Sequence, residues 1–478
     1  MTRTSSPMLW YGDFVDFGTF ETVVNRQSPE KKIWFKFEID ELTTEQRPFF
    51  FDQFGDYRRM PSATSRLQGV KIECAIDRRG ERTVISNINL KISDPKVEYS
   101  LTLEENNNFM RMEIDGQDIA PIISPMRVRI SSGSLFPEIS YWRPRDESTS
   151  TPWALQGGTS FIPHLTRALR RLIDNRTKDK TVAELATRLA HSGIPTSEKI
   201  SALARTQGVT VAAAIRSIAN YPNIGPYSAI YQIINLINCP SIFRAVYQYL
   251  ERTFVSTLYI GPARVRSDRY YRYQDLAVSE IDPDGKNFPM FLNSLSKRQI
   301  DEFSSWVKHL FGYGVNVSRQ TGHISINLTD GGMESNIVDV GYGVSQILPV
   351  LGQIWWAKNR PPNRSNPPPL SILAIEQPEL HLHPAHQALL ADALTSGIEG
   401  GSKQPGPQMR YVVETHSETL INRLGEFIAS KRLLPSDVQV VLFEPRDASS
   451  LTSVRTVGFD DDGSLVDWPY GFFQPAVF

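Results

Sequence analysis

Cysteine is almost missing from this chain of 478 residues, which contains only Cys74 and Cys239. Two distant thiols cannot staple a secreted scaffold or build a Cys-rich zinc module, so a reducing, cytoplasmic setting is expected. Long apolar runs are missing too. The richest stretch, residues 229–250, is broken by Gln232, Asn235, Asn238, Pro240 and Arg244, and reads as a buried helical pair and not as a membrane span. Residues 1–10 have no apolar core of signal-peptide length, so no membrane partner is expected. Neither sign of charge prevails: 51 Lys+Arg face 52 Asp+Glu. That balance excludes a histone-like coat while leaving room for a local basic patch. No self-similar period runs through the sequence, which argues against a solenoid. What is present suffices for folding. Hydrophobic residues make up 40% of the chain and charged residues 22%, and the length predicts two or three units.

Between residues 31 and 131 short segments of period-two character recur at 33–39, 70–76, 84–92, 97–103, 109–114 and 127–130. Turn residues such as Asp77-Arg78-Arg79-Gly80 and Asp115-Gly116 separate them. They predict an antiparallel β lobe. Over residues 161–254 the apolar spacing changes to three and four, as in Leu165, Leu169, Leu172 and Ile173, which predicts helices. Arg167, Arg170, Arg171, Arg176, Lys178 and Lys180 make one stretch there basic. It reads as a solvated helix face, with contact to a nucleic-acid backbone as the alternative. From residue 257 strands and helices alternate, which predicts a largely parallel sheet covered by helices. The expected fold class is therefore α/β. We expect a β lobe (1–145), a helical insertion (146–256), a strand-helix half (257–445) and a terminal hairpin (446–478).

Ser371 to Ile375 is a mostly apolar strand followed by Glu376-Gln377-Pro378-Glu379. A carboxylate at the C-terminal edge of a buried strand is a hard oxygen donor where open α/β sheets bind ligands, so Glu376 is a candidate magnesium ligand. Next comes Leu380-His381-Leu382-His383-Pro384 with His386. These histidines serve either a strand-to-helix corner or, as the alternative, a zinc site. Tyr411-Val412-Val413-Glu414-Thr415-His416-Ser417 places His416 in a turn before a helix that Ser417 caps, where an imidazole either meets a phosphate or holds the corner. Upstream, Gly341-Tyr342-Gly343-Val344-Ser345-Gln346 opens a helix whose glycines would admit a phosphate or form a plain turn. Asp460-Asp461-Asp462-Gly463 lacks EF-hand spacing and reads as a hairpin turn. Trp468, Pro469, Phe472 and Phe473 add apolar mass that is expected to dock on the core or on a partner.

Taken in chain order, Gly341 to Gln346, Ile375 to Pro384 and Glu414 to Ser417 resemble the signature, Walker B and switch-histidine series of ABC-type ATPases. The Pro-Glu-Leu-His-Leu-His-Pro form is similar to the branch of overcoming-lysogenization-defect ATPases and their SMC-like relatives. Tyr259-Ile260-Gly261-Pro262-Ala263-Arg264 and the tail 459–473 resemble a subfamily whose C-terminal domain has no assigned function. The resemblance implies ATP and magnesium as cofactors, with Glu376 supporting the ion and Gln377, Glu379 and His416 as catalytic residues. It also implies nucleotide contact by the Gly341 to Gln346 signature, within a head-to-tail pair of modules. Arg264, Arg269, Arg170 and Arg171 become candidates for phosphate or nucleic-acid contact. The implied partners are a second copy, or a subunit bearing a P-loop or an effector such as a nuclease, with DNA as a further candidate. The implied role is control of that effector in anti-phage defence or DNA repair. Too little chain follows His416 for a TOPRIM-type nuclease.

The sequence departs from the family twice. No Gly-x-x-x-x-Gly-Lys-Ser/Thr occurs, and the nearest strings, Gly285-Lys286-Asn287 and Gly401-Ser402-Lys403-Gln404, lack the loop. Residues 12–18 resemble text downstream of the family's first helix. The first strand, P-loop and first helix are therefore expected to be lost, separately encoded or excluded by a late start codon. Second, Gln377 stands where the family usually carries glutamate, and an amide orients water without accepting a proton. Both departures favour the alternative of a non-hydrolysing regulatory subunit. A zinc hydrolase built on His381, His383 and His386 is the remaining one.

Overall fold

The computed structural model describes residues 6–12, 16–25, 27–46, 49–51, 57–59, 63–104, 109–124, 126–131, 133–142, 155–156, 158–274, 278–360, 370–396, 408–444 and 452–469. Phe472 and Phe473 lie outside the described residues, as do 361–369 and 397–407. The chain divides into two units, Met1–Glu251 and Arg252–Phe478.

In the first unit, alternation of apolar and polar residues produces a nine-stranded antiparallel sheet among the described residues. Its long members, in both chain and spatial order, are β1 (Ile33–Gln46), β2 (Ala63–Arg79), β3 (Arg82–Asp94), β4 (Val97–Leu103), β5 (Met110–Ile114), β6 (Arg127–Ile130) and β7 (Ile139–Trp142). Val97, Tyr99 and Leu101 of β4 and Met110, Met112 and Ile114 of β5 are buried at every second position. The opposite face carries ion pairs between residues directly across from each other, Lys36 with Glu73 at 2.9 Å and Lys71 with Glu38 at 2.8 Å. Such exposed pairs pin register and add little stability. The β2–β3 register shifts between Ala75 and Ile76. The extra residue is Ser86 of β3; on β2, Cys74 lies in the main core and Ile76 in a separate cluster with Phe20 and Val24.

Helices α1 (Ile162–Arg170), α2 (Asp179–Ala190), α3 (Ser197–Ala204), α4 (Val209–Asn220) and α5 (Gly225–Val255) supply the other half of this core. The helical pair expected over residues 229–250 is one helix, α5, which runs through Pro240. Proline lacks the N–H that would reach the carbonyl four residues back, Leu236. The buried hydroxyl of Tyr141 donates to that carbonyl at 2.7 Å, so nothing is orphaned and the helix need not break. No helix among the described residues is long and apolar enough to cross a membrane.

The second unit begins with β8 (Leu258–Ile260), then α6 (Phe288–Ser294) and α7 (Lys297–Phe311). An antiparallel group follows: β9 (Gly314–Gln320), β10 (His323–Asp330) and β11 (Met333–Asn336). Parallel pairing is more restricted than alternation alone predicts. The two-residue turns at Thr321-Gly322 and Gly331-Gly332 send the chain straight back, and their glycines take positive φ. Next come α8 (Tyr342–Asn359), β12 (Leu370–Glu376), α9 (Pro384–Thr395), β13 (Gln408–Glu414) and α10 (Glu418–Ala429). Strands β8, β12 and β13 form a parallel sheet in that order. Helix α8 is buried along nearly its whole length, as expected for a helix that is apolar on all sides. Lys358 near its end donates to the Ala393 carbonyl at 3.0 Å and so satisfies the C-terminus of α9.

The unit closes with β14 (Val440–Glu444) and β15 (Ser453–Phe459), an antiparallel pair. Asp460 Oδ1 accepts the N–H of Asp462 at 3.1 Å and of Ser464 at 2.8 Å, so the acidic run forms a turn. A Cβ on Gly425 of α10 would lie 2.4 Å from the Gly463 carbonyl, which shows how closely this turn rests on the helix. Trp468 packs against the core of the second unit.

Candidate functional site

The C-terminal ends of the parallel strands gather the chemistry. Register places Glu376 of β12 directly beside Glu414 of β13, and Tyr259 of β8 donates its hydroxyl to Glu376 Oε1 at 2.9 Å. Burial and the two neighbouring carboxylates push the Tyr259 phenol up to about 12, so it stays a donor at neutral pH. Gln377 follows in a left-handed conformation, φ +43°, which costs free energy for any residue but glycine. Its N–H donates to the Glu414 carbonyl at 2.8 Å and its side-chain amide to Glu414 Oε1 at 3.3 Å. Glu376 and Glu414 thus offer paired hard oxygen donors. That set fits a magnesium ion completed by phosphates and water. Among the described residues, no group of three or more His, Cys, Asp or Glu forms a complete protein cage.

Behind this edge lies a layer of buried charge. Glu379 is buried, and its Oε1 accepts the main-chain N–H of His416 at 2.7 Å. Arg264 is buried as well and donates to the carbonyls of Gly261 at 3.0 Å and Gln377 at 3.1 Å. Desolvation lowers the Arg264 pKa, and the negative charge of Glu379 works against that shift. Of the three residues read as catalytic, His416 is exposed, Gln377 is half-buried and Glu379 points inward. Ser417 caps α10 through Leu420 N–H at 3.1 Å and donates its hydroxyl to Gln387 at 2.7 Å.

The glycine-containing turn before α8 packs on the same corner. Gly341 has φ +110° with open space where a Cβ would stand, whereas a Cβ on Gly343 would lie 2.5 Å from the His381 carbonyl. The second glycine therefore serves a close backbone approach to the 377–383 turn. Tyr342 is exposed and meets the His381 ring edge-on at 4.9 Å. Val344 is half-buried. Ser345 is buried, with its hydroxyl on the Tyr342 carbonyl at 2.7 Å, and Gln346 donates to the Val265 carbonyl at 3.3 Å. Gly341 and Tyr342 are thus the members of the motif that face outward.

Of the other arginine candidates, Arg269 and Arg170 have protein partners. Arg269 forms a two-pronged pair with Asp339, one arm at 2.9 Å, beside the glycine turn. In the first unit, Arg170 ties down the segment that follows α1 by donating to the carbonyls of Thr177 at 2.8 Å and Asn175 at 2.9 Å, while Arg171 is exposed. The histidines of the corner have separate tasks. His383 Nδ1 caps α9 by accepting from Ala385 N–H at 3.2 Å, and His386 meets the ring of Phe311. Tyr259 and Glu414 belong to motifs that the sequence singles out, but spacing assigns neither of them a role. Their signal is register across β8, β12 and β13, which no spacing within one motif encodes.

Residues 271–421 match the family model of the AAA ATPase domain, AAA_15. That span holds the glycine turn, the Glu376 edge and His416. No curated protein matches the chain. Among solved structures, one similar to it is the Smc head domain with an extended coiled coil, bound to the C-terminal domain of ScpA, from Pyrococcus furiosus. Identity is 12% over 80% of this chain and 79% of that chain, with a TM-score of 0.23.

Proposed function

We propose that the second unit is an ABC-type ATPase module that binds ATP with magnesium and controls a partner effector. The observation that carries this is the strand edge itself, where Glu376, Gln377, Glu414 and His416 converge on one end of a parallel sheet. In this reading Glu376 and Glu414 hold the magnesium ion, which when bound offsets phosphate charge. Gln377 orients water through its amide, His416 faces the terminal phosphate, and Glu379 fixes the peptide of His416. Gly341 and Tyr342 offer the exposed start of α8 to a nucleotide held by a P-loop from a partner, either a second copy or a different subunit. The effector, in anti-phage defence or DNA repair, follows from family analogy alone.

A second reading, a non-hydrolysing regulatory subunit, is favoured by Gln377 itself, since an amide cannot take the proton of an attacking water. Titrating the full chain with Mg-ATP, and following turnover with and without a P-loop-bearing partner, separates the two. The hydrolysing reading expects Gln377→Glu to raise turnover and His416→Ala to lower it about 100-fold or more. Binding without turnover in any assembly, and unrescued by Gln377→Glu, establishes the regulatory reading. Absence of Mg-ATP binding in every assembly overturns both.

A further inference from the structure

Among the described residues only two charged side chains are buried, Arg264 at 5% exposure and Glu379 at 8%. Burying a charge is costly unless it is paired or well hydrogen-bonded, so two in one place call for a reason. Neither is fully satisfied: Arg264 Nε and Glu379 Oε2 have no hydrogen-bond partner among the described residues. What the two side chains do hold is main chain. Arg264 grips the carbonyl of Gln377, the residue at φ +43°, together with that of Gly261. Glu379 grips the N–H of His416. His381, at φ +64°, ends the same turn, so two left-handed non-glycine residues flank Glu379. Such conformations persist only where the surroundings over-determine them.

We infer that Arg264 is a positioning residue: its guanidinium pins the Gln377 peptide in the left-handed turn and its charge offsets that of Glu379, which in turn fixes the His416 peptide. The strand edge and the histidine turn are thereby set by one buried cation from a third segment. This rests on the reading of Gln377 and His416 as the residues that face nucleotide. Arg264 was a candidate phosphate contact by sequence. Its two carbonyl partners and its burial direct it inward instead.

Amide hydrogen exchange of the full chain tests the assignment without nucleotide, by following segments 376–384 and 411–420 in Arg264→Lys, Arg264→Met, Glu379→Leu and the double variant Arg264→Met/Glu379→Leu. Arg264→Met and Glu379→Leu are each expected to speed exchange of 411–420 about tenfold or more, and the double variant no further. Arg264→Lys keeps the charge and loses the fork. It is expected to restore 411–420 while leaving 376–384 fast. Unchanged protection in both segments of Arg264→Met, or additive effects in the double variant, overturns the inference. If Arg264→Met does not fold, as judged by circular dichroism, the split between the two segments in Arg264→Lys decides. Where turnover is measurable, Arg264→Lys is expected to lower kcat with KM unchanged. A wild-type chain that binds no Mg-ATP removes the functional reading but leaves the exchange result intact, so the two can fail separately.

Discussion

The two units spend their stability differently. In the first, every buried side chain described is apolar or an uncharged polar group, and its left-handed non-glycine residues, Lys31 and Asp115, sit in exposed turns. Burial there only silences chemistry. It raises the Tyr99 and Tyr141 phenols far above their ordinary range and pushes the Cys74 thiol up to about 12, so neither phenol nor thiol ionises at neutral pH. In the second unit both buried charges lie at one end of a three-stranded parallel sheet, with two of its four left-handed non-glycine residues, half-buried Gln377 and exposed His381; the other two, Lys431 and Asp467, sit in exposed positions as in the first unit. Costs that a purely structural core avoids are concentrated where exposed Glu414 and His416 stand. The contrast shows that the first unit is optimised for packing and that the second gives up some of that optimum to hold a particular arrangement.

Three substitutions probe that contrast, from the largest expected effect to the smallest. Gly343→Ala forces a Cβ to within 2.5 Å of a backbone oxygen that cannot swing away. It is expected to destabilise the second unit by about 2–3 kcal/mol, read as a lower urea midpoint. An unchanged midpoint would show that the corner is soft and the comparison overdrawn. In the first unit, Tyr141→Phe leaves the Leu236 carbonyl without a donor, and a loss of about 1–2 kcal/mol is expected. That loss should shrink in a Pro240→Ala background, where the helix supplies its own N–H. Equal losses in both backgrounds would mean that the hydroxyl does not compensate for proline.

Arg269→Gln tests the exposed rim of the site. Arg269 holds the Asp339 carboxyl below its usual range, so the pair supports the fold above the ordinary carboxylate pKa and loses that contribution as pH falls through the depressed value. Both side chains are exposed, so no measurable change in melting temperature is expected at neutral pH, and the variant and wild type should coincide in acid. A clear loss at neutral pH would place rigid structure further out than the buried layer.

Much of this was legible in the sequence because it is local. Period-two runs at 84–92 and 97–103 became β3 and β4, and the Ser417 cap and the Asp460 turn each need only their neighbours. The helical pair expected around Pro240 is one helix because the compensating hydroxyl comes from Tyr141 of β7, far away in sequence. The candidate site was half legible: motif order brought Gln377, Glu379 and His416 forward together, while the inward turn of Glu379 and the part played by Arg264 depend on which face of the strand edge each one meets.

Sparse cysteine, broken apolar runs and balanced charge, together with short-range periodicity, were enough to determine an α/β chain with a β lobe, helices and a motif-bearing half. Those properties depend on each residue's own chemistry and on neighbours within a turn or two. Tertiary structure alone decided that Glu376 stands beside Glu414 and that Gly343 serves backbone contact. It also decided that Arg264 turns away from solvent to hold Gln377. These outcomes are set by register between strands far apart in the chain and by what fills the space behind them, and no local pattern carries that information.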